Sequence, residues 1–132
     1  MHRLFVYGTL QLPAVMFAVT GKVFKALPAR LDDYSRHRLR GKSYPGIRPN
    51  PGSSVEGLLV TGIDEESLRN LDGFEDSCYR RDAVTAITAE GGEWTAQAYV
   101  MREESVGLLL PEAWSLEEFQ RKHLSLFLQH HA

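Results

Sequence analysis

The chain has 132 residues, 43% hydrophobic and 24% charged, and carries a formal net charge of -2. Its length suits one domain, and its composition is too apolar for a disordered chain, so we expect a single domain over residues 1–132. An acidic chain is poorly matched to a phosphate backbone, which excludes nucleic acid as the main partner and leaves a small molecule as the expected one.

In chain order, Leu4-Phe5-Val6-Tyr7 reads as a buried strand, because a short apolar and aromatic run that stops at glycine suits a core strand better than a helix. The strand delivers a turn, Tyr7-Gly8-Thr9-Leu10, where the absence of a Cβ at Gly8 lets the backbone approach a ligand and offer N–H donors to it. Pro13 to Val19 follows as a short helix closed by Gly21. Ala29 to Arg40 alternates in part and predicts two strands or one bent strand, with Arg36, Arg38 and Arg40 on a solvated face. Tyr44-Pro45-Gly46-Ile47, with Pro49, Pro51 and Gly52, predicts a structured loop long enough to cover a pocket.

Val55 to Ile63 is a further strand in which Gly57 and Gly62 mark bulges or tight neighbours. Asp64 caps a helix with Glu65 and Glu66 in its first turn and Leu68 and Leu71 facing inward, and Gly73 is expected to end it. Ala83 to Thr88 and Trp94 to Met101 form a hairpin about Gly91-Gly92. Ser115 and Glu118 start a terminal amphipathic helix through Leu116, Phe119, His123, Leu124 and Phe127. Strands without regular βαβ alternation indicate an α+β fold: a small, mostly antiparallel β-barrel with flanking helices and a ligand site at its mouth.

No run of about eighteen apolar residues is present, and the start lacks the apolar core of a signal peptide, so a cytoplasmic protein without a membrane partner is expected. Cys78 is the single cysteine, which removes disulfides and thiolate clusters, and the five histidines have no ligand spacing. Neither a metal nor another cofactor is expected. The carboxylate that stands out is Glu75, just past a helix and beside Phe74, where lost solvation makes a carboxylate a better base near neutral pH. Tyr44 and Tyr79 are candidates to line the same pocket, against the commoner arrangement of a buried tyrosine whose hydroxyl meets the backbone.

Phe5-Val6-Tyr7-Gly8-Thr9-Leu10, Gly41 with Tyr44-Pro45-Gly46-Ile47, Val55-Glu56-Gly57, Leu71-Asp72-Gly73-Phe74-Glu75, and Tyr79 with Arg81 occur in an order that resembles the γ-glutamylcyclotransferase-like (AIG2-like) family over nearly the whole chain. Asp76 stands where a glycine is common in that pattern. The resemblance implies a small barrel with flanking helices, Glu75 as catalytic acid/base, and Tyr7, Gly8, Thr9 and Leu10, with Tyr79, as substrate-binding residues. It also implies the reaction: cyclisation of the γ-glutamyl group of a γ-glutamyl amide to 5-oxoproline with release of an amine or amino acid. The amides of the turn would hold the substrate's α-carboxylate or its carbonyl oxygen as that gains charge. Two other readings stand beside it, a non-catalytic small-ligand-binding protein on the same scaffold and an interaction module using the basic strand.

Overall fold

Alternation along the first strand divides the core in two. β1 (His2–Val6) sends Leu4 and Val6 into one apolar cluster and Phe5 into another, as the period-two geometry of a strand requires. The computed structural model describes residues 1–131. In it β1, β2 (Lys25–Arg38), β3 (Pro45–Ile63), β4 (Tyr79–Thr88) and β5 (Glu93–Met101) close into a barrel in the order β1-β3-β2-β4-β5. Every neighbouring pair is antiparallel except β1 with β5, which is parallel. Phe5 lies in a cluster drawn from all five strands, with Ile47, Leu59 and Val100 and the small residues Ala29, Ala86, Ala96 and Ala98, which let so few strands close around it.

Leu4 and Val6 face the other cluster, shared with α1 (Pro13–Thr20), α2 (Glu65–Phe74), α3 (Leu116–Lys122) and α4 (Leu124–His131). Leu71 and Phe119 there are almost wholly buried, each contributing roughly 1.5–3 kcal/mol. Among the described residues no helix is long and apolar enough to cross a membrane.

Gly57 is the point of closest approach between β3 and β1: a Cβ there would sit 2.2 Å from the Val6 carbonyl oxygen and 3.2 Å from the Tyr7 Cα. Gly62, at φ 75°, forms the bulge where the register slips between His2↔Ile63 and Leu4↔Val60. Both glycines thus have the roles their positions in the strand suggest.

Four elements differ from expectation, β2 in its bounds alone. β2 is one bent strand that starts before Pro28, and its bend lies at Asp33, the single non-glycine residue with positive φ among those described. The proline-rich segment is strand and not loop: Pro45 and Pro49 pair with Arg38 and Tyr34, and the Asp33 carboxylate accepts from the Gly52 N–H across the irregularity. Proline lacks only its own donor, so a long two-stranded arm tolerates it where that donor has no partner to meet. Gly73 stays within α2, which runs on to Phe74, because α2 ends by turning to extended backbone at Glu75 and not through a left-handed residue. The terminal helix breaks at His123 (φ -127°) into α3 and α4, while the Ser115 hydroxyl caps α3 by accepting from the Glu118 N–H.

Candidate active site

β1 ends at Val6, and the next residues turn away from the barrel into a single 3₁₀ turn, Thr9–Gln11. The opening amides of such a turn have no acceptor within it. They border a cavity of about 340 Å³ whose walls also come from Tyr44 just before β3 and Pro45 at its start, Tyr79 at the start of β4, Tyr99 late in β5, and Phe74 to Ser77 from the last residue of α2 onward. Antiparallel pairing brings these strand ends to one end of the barrel. Phe127 of α4 supplies a further aromatic wall, its ring edge-on to Phe74 at 6.0 Å.

Glu75 reaches this cavity from the C-terminal cap of α2, where its N–H still donates to the Leu71 carbonyl (3.1 Å) while φ -69° and ψ 142° carry the chain off the helix. The side chain is half-buried, open to the lumen and otherwise enclosed by protein. Burial, with smaller contributions from the charges of Asp76 and Asp72, pushes its carboxyl up to about 8. The neighbouring carboxyl goes the other way: Tyr44 donates its hydroxyl to Asp76, and with the Ser77 N–H (2.9 Å) holds it below the usual range. At neutral pH the cavity therefore faces one ionised carboxylate and one carboxyl poised to exchange a proton.

A strap of hydrogen bonds links the two sides of the cavity. The Tyr7 hydroxyl donates to the Tyr99 carbonyl (2.6 Å), and the Tyr99 hydroxyl donates to Asp72 Oδ1 (2.7 Å). Arg81 holds the same carboxylate in a fork, from Nε at 2.9 Å and Nη2 at 3.2 Å. The strand that delivers the amide turn is thereby tied to the last turns of the helix that delivers Glu75.

The family model for gamma-glutamyl cyclotransferase, AIG2-like proteins matches residues 4–116. The chain belongs to that family. It is 34% identical to AIG2-like protein C of Arabidopsis thaliana over 121 residues, covering 91% of this chain and 70% of the relative. A solution structure of another Arabidopsis thaliana protein superposes with a TM-score of 0.77 at 28% identity, over 98% of this chain and 87% of that one. A structure of a gamma-glutamyl cyclotransferase gives a TM-score of 0.67 at 25% identity, over 76% of this chain and 66% of that one.

In this AIG2-like chain the residues singled out from sequence, Tyr7, Gly8, Thr9, Leu10, Glu75 and Tyr79, all border one cavity. Their side chains differ in what they have free. The hydroxyls of Tyr7 and Tyr79 are already donated to the carbonyls of Tyr99 and Pro45, so these two residues present rings and, at Tyr7, backbone. Burial raises both phenols well above their ordinary range. Phe127, Tyr99 and Asp76 also line the cavity and were not singled out. Phe127 shares the helical spacing of core residues, and it lies in α4, beyond the break at His123. The acidity of Asp76 comes from Tyr44, 32 positions away, which spacing does not reveal.

Proposed function

We propose that the chain cyclises the γ-glutamyl group of a γ-glutamyl amide to 5-oxoproline, releasing an amine or amino acid, with Glu75 as the acid/base. The observation that carries this reading is a carboxyl raised to about 8 in the same cavity as the opening amides of the Gly8 turn. The substrate's α-ammonium lies beside its own free α-carboxylate and titrates above the about 7.7–8.0 of a peptide N-terminus, so its proton passes to Glu75 uphill, at a cost that the raised carboxyl makes much smaller than an ordinary carboxylate would. The freed amine attacks the γ-carbonyl, the new C–N bond closes a five-membered ring, and the γ C–N bond breaks as Glu75 returns the proton to the leaving nitrogen. One group serves both transfers, with a contribution of about 10²–10⁴-fold. Holding amine and carbonyl in attack geometry contributes on the order of 7–11 kcal/mol, part of it inherent in the substrate. The amides of the turn meet an anionic oxygen of the substrate, and the aromatic walls keep water out of the ring closure.

The test is a panel of γ-glutamyl amines, γ-glutamyl dipeptides and glutathione, with 5-oxoproline detected by mass spectrometry. At least one member is expected to give 5-oxoproline, and its N-acetylated counterpart, having no nucleophilic amine, none. Release of glutamate in place of 5-oxoproline, or no product from any member, overturns the reading. Because the productive pair carries one proton between Glu75 and the substrate amine, kcat/KM should follow a bell whose acidic limb lies near pH 8, set by Glu75, and whose basic limb lies higher, set by the amine.

Asp72→Asn supplies a signed variation on that profile. Losing the Asp72 carboxylate removes one of the charges that raise Glu75, and the released Arg81 cation acts in the same direction. The acidic limb should therefore move to lower pH and activity at pH 6 should rise relative to the maximum. An acidic limb that stays in place, or moves to higher pH, contradicts the assignment of that limb to Glu75.

A further inference from the structure

β1 and β3 part just after Val6↔Leu58, the last pair of their ladder. At that fork two carbonyls, of Tyr7 and of Glu56, face the same cation: Arg36 Nη1 donates to the first at 2.7 Å and to the second at 3.1 Å. The guanidinium is half-buried, with its carbon 5.6 Å from the centroid of the Trp114 ring. Trp114 is itself fixed by donating Nε1–H to the Ser43 carbonyl at 2.7 Å. Arg36 is therefore held in place on the β2 arm and is not the solvated strand residue that its period-two spacing predicts.

Its place relative to the cavity matters. Arg36 lines a separate hollow, together with Glu56 and Gly57, and does not border the cavity that Tyr7, Gly8 and Glu75 share. No cis peptide occurs among the described residues. In a trans peptide the carbonyl and the following N–H point in opposite directions. A Tyr7 carbonyl drawn to the Arg36 side therefore turns the Gly8 N–H toward the cavity, and the cation behind it polarises the amide and makes it a stronger donor.

We infer that Arg36 is a positioning residue that orients and polarises the Tyr7–Gly8 peptide so that the Gly8 amide faces the cavity as an anion donor. The consequence for catalysis rests on the γ-glutamyl reading; the orientation of the amide does not. The test uses Arg36→Met and Arg36→Lys in the full chain, with 5-oxoproline as the binding probe. The amide nitrogen resonance of Gly8, sensitive to the hydrogen bond at the preceding carbonyl, is compared with the wild type before any ligand is added.

Arg36→Met is expected to shift that resonance and to weaken 5-oxoproline binding roughly 10–100-fold, the scale of one charge-assisted hydrogen bond. Added methylguanidinium should restore part of the binding to Arg36→Met. Arg36→Lys, which keeps a charge without the planar fork, should lie between wild type and Arg36→Met. It also serves as the variant if Arg36→Met fails to fold. An unmoved Gly8 resonance with unchanged 5-oxoproline affinity overturns the inference. If the wild type turns over no γ-glutamyl amide while Arg36→Met still shifts Gly8 and weakens binding, the reaction is wrong and the role of Arg36 stands.

Discussion

Glu75→Gln should fold, bind 5-oxoproline and lose turnover by about 10²–10⁴-fold, because the amide keeps the shape of the carboxyl and cannot take the proton of the attacking amine. The loss belongs in kcat, with KM little changed, since the substituted group acts on the proton in flight. The same variant carries a stability signature with a definite sign. A carboxyl raised from 4.5 to about 8 on folding is held protonated by the native state while the unfolded chain ionises, so it costs stability as pH rises through that window. Wild-type Tm should therefore fall between pH 5 and pH 9 by more than that of Glu75→Gln. Parallel Tm profiles, or a variant with wild-type kcat, would remove Glu75 from the role given to it.

Gly57→Ala should have the largest effect of any substitution away from the cavity's own lining. The added methyl would meet backbone, 2.2 Å from the Val6 oxygen and 3.2 Å from the Tyr7 Cα, and only 3.0 Å from the Phe5 ring. A strand carbonyl and a core ring have no free space to retreat into, so β1 must shift just before the amide turn. Overpacking of this kind costs about 1–3 kcal/mol, and it should also displace the Tyr7–Gly8 peptide and abolish most turnover in the protein that remains folded. Gly73→Ala is the matched control. Nothing lies within 4 Å of a Cβ at Gly73, which sits within α2, and the change should raise stability by about 0.5–1 kcal/mol. Thermal denaturation and a 5-oxoproline assay on both variants decide the matter; a Gly57→Ala protein with wild-type Tm and turnover would show that the close approach sets neither.

The barrel was legible because its signals are local. Period-two alternation in β1 separates the two apolar clusters, Asp64 carries the cap of α2, and Gly91 supplies the positive φ of the β4–β5 hairpin. The β2–β3 arm was misread because Pro45, Pro49 and Pro51 are breakers by local preference, and cross-strand pairing with β2 overrides that preference. At the site, Glu75 and the Gly8 turn could be found from motif order, since each is fixed by the element that precedes it. Arg36 could not be, because its meaning lies in two carbonyls 29 and 20 positions away, and a period-two run of arginines looks the same whether it faces water or a strand fork. Asp72 and Tyr99 were hidden for the same reason, their bond joining a helix to a strand 27 positions later.

The central claim is that one carboxyl in this cavity changes its charge near neutral pH. Carbon-13 NMR of the glutamate side chains, with Glu75→Gln used to assign the resonance, measures this directly. The account predicts a titration midpoint for Glu75 near 8, with the resonance absent from the variant; a midpoint near the ordinary 4.5 would contradict it.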